Sequence, residues 1–195
     1  MFAYLKGTFS LKTPTVVHVD VHGTGYEVQV SLNTYSKIQH LQEGILYTHL
    51  LIREDAHILF GFYDKAEKEV FLQLLSVSGV GASTARMMLS SLQPDEVVRA
   101  ILSGNESLLE SVKGIGKKTA QRLVLELRDK ISKSTSIDGN ISTLNHNSLE
   151  QDALTAMTAL GIARNAAELA IRKARQTNTE FGEVQELIKA ALKCL

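Results

Sequence analysis

Leu109–Lys130 reads LESVKGIGKKTAQRLVLELRDK, two helix-forming runs parted by Gly114-Ile115-Gly116. Two glycines around one aliphatic residue make a tight turn that leaves backbone N–H groups uncovered. The helix that starts at Lys117, Lys118 and Thr119 aims its unsatisfied amides and the positive end of its dipole the same way. That combination is an anion site, and phosphate is the usual anion. From Lys113 to Lys133 seven basic residues (Lys113, Lys117, Lys118, Arg122, Arg128, Lys130, Lys133) stand against Glu126 and Asp129, a net of +5 in a chain whose formal charge is zero.

A shift of 35 residues lays this stretch over an earlier one. Leu74 falls on Leu109, Gly79 on Gly114, Val80 on Ile115, Gly81 on Gly116, Thr84 on Thr119, Ala85 on Ala120 and Met88 on Leu123. The chain thus carries an internal repeat of helix, Gly-aliphatic-Gly and helix. One such unit is equally a helical corner that needs glycine for its geometry. Two units fit a ligand that repeats, and a phosphodiester strand offers equivalent phosphates at intervals. The candidate backbone-contacting residues are Gly79, Val80, Gly81, Ser83 and Thr84 in the first unit, and Gly114, Ile115, Gly116, Lys117, Lys118 and Arg122 in the second. The first unit has Ala82-Ser83 after its turn and only Arg86 nearby, so the second is expected to carry most of the salt-dependent affinity. Contacts of this kind position a protein without reading bases.

Two nucleotide-binding motifs are excluded by inspection. A Walker A loop needs Ser or Thr after Gly-Lys and a Gly five residues before that final Gly; Lys118 and Ser111 stand there. A dinucleotide fingerprint needs a third Gly where Thr84 and Thr119 lie, and a preceding strand rather than a helix.

Toward the N-terminus the period changes from helical to two. Val17, Val19 and Val21, then Tyr26, Val28 and Val30, alternate with polar neighbours, around a turn expected at Gly23-Thr24-Gly25. Ile45–Ile52 and His57–Phe62 form a second hairpin through Arg53-Glu54-Asp55-Ala56, and Leu32–Leu41 has room for a helical turn. Roughly five short strands in so few residues predict a small closed barrel, of which the OB-fold is a common type that binds nucleic acid. The barrel has four Lys/Arg against five Asp/Glu, so it does not itself attract DNA. Glu54 and Asp55 at the hairpin tip read as a solvated turn, as carboxylates that repel phosphates and shape a nucleic-acid path, or as metal ligands. Adjacent strand residues point to opposite faces and no third acid lies near in sequence, which weighs against the last.

Asp64 with Glu67 predicts a capping box ahead of the stripe Val70, Phe71, Leu74 and Leu75, and Pro94 with Asp95 and Glu96 opens a later helix. Ser132–Ser148 has ten Ser, Thr or Asn in 17 residues and reads as a flexible linker; His146 within it reads as solvated. Three short helices are expected beyond it, at Leu149–Leu160, Ala163–Arg175 and Phe181–Leu195, with Gly161 ending the first and Asn178-Thr179 preceding the third. The single cysteine, Cys194, offers neither a disulfide nor a cysteine metal cluster and suits a reducing compartment. With no apolar run near ~18 residues and no signal-peptide pattern, a cytoplasmic location is expected.

The order of these parts, and above all LIREDA at Leu51–Ala56, GFYDKAEKEVF, SGVGASTA and KGIGKKTAQRL at Lys113–Leu123, resembles the bacterial RuvA family, the Holliday-junction-binding subunits of the RuvAB branch-migration complex. The resemblance covers the whole chain. It implies a multidomain α+β protein: an OB-fold barrel at 1–62, a tandem helix-hairpin-helix domain at 63–131, the linker at 132–148 and a UBA-like three-helix domain at 149–195. It implies flat homotetramers, sometimes paired as octamers, that hold four-way junctions on a concave basic face in recombination, repair and the SOS response. Glu54 and Asp55 become an acidic pin at the crossover. The C-terminal domain becomes the contact for the AAA+ ATPase RuvB, through Met157, Leu160, Ile162 and Leu192 by position, with the RuvC resolvase in the wider complex. No cofactor is implied for this chain, ATP being used by the partner motor. One departure matters. Many family members have Pro-Lys after the first Gly-Val-Gly, and Ala82-Ser83 stand there instead, which puts the charged contact of that hairpin in doubt but not its backbone contact. Two other readings are a generic duplex-DNA scaffold, and the non-catalytic part of a helix-hairpin-helix nuclease or related enzyme.

Overall fold

The computed structural model describes residues 2–138, 145–177 and 181–195, with 133–138, 145–148 and 177 described through their backbone alone. The chain divides into two units between Ile137 and Asp138.

In the first unit, strands β1 (Tyr4–Lys12), β2 (Val16–Val21), β3 (Thr24–Val30), β4 (Glu43–Ile52) and β5 (His57–Phe62) close a barrel in the order β1-β2-β3-β5-β4. β4 returns antiparallel to β1, and β3 meets β5 in parallel, the closure of a five-stranded OB-type barrel. The inward halves of the alternating runs, Val17, Val19, Val28 and Val30, fill it together with Leu5, Phe9, Leu46 and Leu59. The β2–β3 turn lies one residue earlier than expected. Thr24 already pairs with Val21, and the turn is His22-Gly23, with φ of 52° and 87°. Two positive φ values match the twist of a two-residue hairpin, and Gly23 N–H donates to Asp20 Oδ1 at 2.8 Å.

Helix α1 (Leu32–Ile38) bridges β3 and β4, and five helices follow β5: α2 (Lys65–Leu75), α3 (Ala82–Ser91), α4 (Pro94–Ser103), α5 (Glu106–Glu110) and α6 (Lys117–Asp138). Their core includes Val70, Phe71, Leu74, Met88, Leu89, Val97, Ile101, Leu109, Leu123 and Leu127. Phe60 and Phe62 of β5 belong to the same core, with ring centroids 5.1 and 4.8 Å from Phe71. Barrel and helices therefore share buried surface.

Asp64 caps α2, its Oδ1 accepting from Glu67 N–H at 2.7 Å. The reciprocal half of the capping box does not form. The Glu67 side chain is wholly buried and accepts hydrogen bonds from Ser31 Oγ and, at 2.6 Å, Thr34 Oγ1. A carboxylate removed from water needs such donors, and α1 supplies them.

Helix α6 runs to Asp138 and α7 starts at Asn145, so helix enters both ends of the stretch expected as a linker. Extending an existing helix adds a hydrogen bond per residue without a new nucleus, which polar residues tolerate. Residues 139–144 lie outside the described residues.

The second unit holds α7 (Asn145–Ala159), α8 (Arg164–Thr177) and α9 (Val184–Leu192). Its core is small and alanine-rich: Ala153, Leu154, Met157, Ala167, Ala170, Ile171, Ala174, Leu187 and Ala191. Gly161, at φ 88°, ends α7 as expected, and Ile162 N–H closes the turn on Met157 C=O at 3.1 Å. Asn178-Thr179 lies outside the described residues. Among the described residues no helix is long and apolar enough to cross a membrane.

Candidate nucleic-acid interface

The two Gly-aliphatic-Gly turns are built alike. Gly79 and Gly114 sit at φ 92° and 96°, a region that L side chains rarely enter. The next amides turn back inside the loop, Val80 N–H to Val77 C=O at 3.1 Å and Ile115 N–H to Val112 C=O at 3.0 Å. The side chains of Val77, Val80, Val112 and Ile115 are buried. Val80 and Ile115, expected among the backbone-contacting residues, are thus pegs that fix the loop. Their amides are already used and their side chains face inward.

Among the described residues, the turns leave donors open on both sides of Val80 and Ile115, the amides of Gly79 and Gly114 before them and those that follow. Among the described residues the N–H groups of Gly81, Ala82 and Ser83, and of Gly116, Lys117 and Lys118, have no acceptor. Other helices of this unit treat their first amides differently. Ser31, Asp64 and Asn105 accept from the third helical amide of α1, α2 and α5, and Glu96 Oε2 takes Gln93 N–H at the start of α4. The helices α3 and α6 begin after glycines, which have no side chain to cap with. Each presents free donors and a positive dipole end to the surface. Ser83, Lys113, Lys117 and Lys118 are exposed beside them, Thr84 is half-buried and Ala82 is buried.

The loops are neighbours. A Cβ on Gly114 would stand 4.0 Å from Thr84 Cγ2. From the other side Arg122 donates to Ser78 C=O at 3.1 Å, and Lys130 Nζ lies 3.4 Å from Ser76 Oγ. Each loop rests on the helix that follows the other, an approximate twofold arrangement. Arg122, whose Nε is also 3.6 Å from Glu126 Oε1, was expected to serve the second hairpin and instead places its charge at the first. Arg86, the cation nearest the first turn in sequence, is turned away from it. Arg86 donates to Thr15 C=O of the barrel at 3.3 Å, and burial lowers the pKa of its guanidinium.

The acidic hairpin is anchored and its tip is free. Arg53 N–H donates to Ala56 C=O at 2.8 Å. Leu51 and Ile58, on either side, pack against the helical core. Glu54 and Asp55 are exposed, and neither carboxylate has a partner among the described residues. Ile52 at the hairpin root is 65% exposed, an apolar residue that the alternation of β4 turns outward and that sequence reading passed over. Leu125, 80% exposed, was passed over too. Its position off the buried Ala120, Leu123, Leu127 and Ile131 stripe carried the signal. Among the described residues no group of three or more His, Cys, Asp or Glu side chains is arranged to hold a metal ion.

In the second unit Leu160 and Leu192 are 66% and 41% exposed, and Ile162 is partly buried against the core. Met157, expected at the same contact, is fully buried. It packs into the three-helix core and offers no surface.

A family model described as RuvA N terminal domain matches residues 1–61, and one described as SAM-like Helix-hairpin-helix tandem matches residues 71–129. Among curated relatives, proteins of Cytophaga hutchinsonii, Christiangramia forsetii and Bacteroides fragilis are 45%, 45% and 42% identical to this chain. The alignments cover 99%, 100% and 100% of this chain and the same shares of the relatives, and all three bear the name Holliday junction branch migration complex subunit RuvA. With the barrel and the paired hairpins in place and full-length identity well above what chance gives, the chain belongs to the RuvA family.

Proposed function

We propose that this chain binds four-way DNA junctions as the non-catalytic, DNA-holding subunit of a branch-migration complex. The observation that carries the proposal is the pair of adjacent hairpins with open amides on α3 and α6, in a chain whose full-length relatives are named for this role. Each hairpin takes one stretch of sugar-phosphate backbone. Gly81 and Ser83 N–H with the Ser83 and Thr84 hydroxyls serve the first, and Gly116, Lys117 and Lys118 the second. Glu54 and Asp55 stay clear of phosphate and disfavour a continuous duplex across the junction centre. The second unit recruits an ATP-driven motor of the RuvB type through Leu160, Ile162 and Leu192, and ATP turnover belongs to that partner. A homotetramer, with an octamer as its paired form, supplies four equivalent arms' worth of contacts. The RuvC resolvase joins the wider complex.

Comparing the affinity of the purified chain for a synthetic four-way junction and for linear duplex of the same length and sequence tests this. Tighter junction binding is expected. Equal affinities overturn the junction reading and leave a generic duplex scaffold.

A further inference from the structure

The helix between β3 and β4 has no part in the proposed DNA contacts, yet its polar side chains are committed to other elements. Ser31 and Thr34 donate to the buried Glu67 of α2. Thr34 Oγ1 also accepts from Tyr63 N–H at 3.0 Å, and Lys37 Nζ reaches Asp64 Oδ2 at 2.7 Å. On another face Asn33 Nδ2 donates to Leu89 C=O at 2.5 Å and Leu92 C=O at 2.9 Å, while its Oδ1 accepts from Gln93 Nε2 at 2.6 Å. Leu32 N–H donates to Ser90 Oγ at 3.1 Å. One short helix of the barrel is therefore bonded to the start of α2, the end of α3 and the start of α4. Ser31, Asn33, Thr34 and Glu67 are all buried.

Apolar contact alone joins two bodies without fixing the angle between them, whereas buried hydrogen bonds have direction and a half-made network is worse than none. The Phe60–Phe62–Phe71 cluster holds the barrel against the helices; the network around α1 selects one orientation. That orientation sets where the acidic hairpin, which continues from β4, stands relative to the two phosphate-holding loops.

We propose that Glu67, with Ser31, Thr34 and Asn33, is a positioning residue for junction recognition: it locks the acidic hairpin in register with the hairpins of α3 and α6. The inference rests on the junction reading above. A lone duplex arm needs only the loops, and a junction needs the loops and the hairpin tip at once. Loosening the lock therefore lowers junction affinity and leaves duplex affinity alone.

The experiment uses the full chain and measures junction and duplex affinity at one salt concentration for wild type, Glu67→Ala, Glu67→Gln and Asn33→Ala, with thermal unfolding of each. Glutamine accepts from one hydroxyl and donates to the other, so it keeps most of the lock. The expected result is a junction-to-duplex preference reduced roughly tenfold (about 1.4 kcal/mol) in Glu67→Ala and Asn33→Ala, unchanged duplex affinity, and recovery in Glu67→Gln. A folded Glu67→Ala with wild-type preference overturns the inference and leaves the junction reading standing. If Glu67→Ala does not fold, Asn33→Ala decides in the same way. A wild type without preference overturns the junction reading and the inference with it.

Discussion

Lys117 and Lys118 stand at the N-terminal end of α6, where the helix dipole is positive. Both are exposed, their own amides are unpaired among the described residues, and no ion pair holds their side chains there. Replacing both with alanine removes two cations from the proposed phosphate site and nothing from the core. If each neutralises one phosphate, the slope of log affinity against log salt becomes shallower by about 1.8 per chain, at about 0.9 per contact. Over a rise from about 50 to about 200 mM salt, the variant's affinity loss is then smaller by roughly tenfold for each chain bound to the junction. Stability should move the other way: removing cations from the positive end of a helix stabilises by up to about 1 kcal/mol, and alanine is a good helix former. Fluorescence anisotropy on a labelled junction across a salt series gives the slope, and thermal unfolding gives the stability. An unchanged slope would show that the lysines face away from phosphate. A lower Tm would show that they support the fold, and the reasoning about their cost would be wrong.

Other substitutions probe other parts. Glu54→Gln with Asp55→Asn should keep or tighten junction binding while altering junction opening, read with a fluorescent base analogue at the crossover; weaker binding contradicts the repulsion argument. Ile115→Ala empties a buried site in the second loop and should cost about 2–4 kcal/mol in urea unfolding, with duplex affinity falling because the loop loses its peg. Burial raises the Glu67 pKa above the ordinary carboxylate value, against the hydrogen bonds from Ser31 and Thr34. The folded chain thus holds this proton more tightly than the unfolded chain does. The stability this contributes is fully present below about pH 4.3 and is lost as pH rises through the raised value. In Glu67→Gln that part of the pH–stability curve should be flat, and a slope matching wild type would refute the assignment. Cutting the chain between 139 and 144 should leave an N-terminal fragment that binds junctions but does not stimulate an ATP-driven motor; stimulation by the fragment would remove the second unit from that role.

The hairpins were legible because glycine spacing is a backbone requirement written directly into residue identity. The tight turns form where the spacing put them, with Gly79 and Gly114 at positive φ. The barrel was legible because alternation maps onto two faces of a strand. What was not legible depended on residues far apart in sequence or on one side chain against another. Glu67 reads locally as half of a capping box, and only the arrival of Ser31 and Thr34, more than 30 positions away, makes it a buried carboxylate. Met157 on α7 and Leu160 just past its end are both apolar and three apart, so periodicity alone did not separate core from surface; one is fully buried and the other 66% exposed. Arg122 lies four residues beyond Lys118, and its reach to Ser78 follows from the packing of the two repeats, which a linear alignment of the repeats does not contain. The β2–β3 turn slipped because His22 takes a positive φ, for which glycine is the usual candidate.

Departures from local stability rules fall on a few elements of the first unit. Replacing a side-chain cap by alanine typically costs about 1 kcal/mol, and side-chain caps are used at α1, α2 and α5. Glycines take that place ahead of α3 and α6. Lysines occupy the positive end of α6, where acids would be favoured, and Glu54 and Asp55 lie side by side without a cation among the described residues. The same chain places Asp95 and Glu96 in the first turn of α4, so it follows these rules elsewhere in the unit. Rule-breaking confined to a few elements while neighbouring ones comply is the pattern expected where a ligand supplies the missing partners. On the proposed function, the partners missing at α3 and α6 are anions for open amides and lysines, and the acidic tip is where anions are excluded. A single uniform anion would satisfy the first set only. A branched phosphate backbone, present over the loops and absent from the point where its arms diverge, satisfies both.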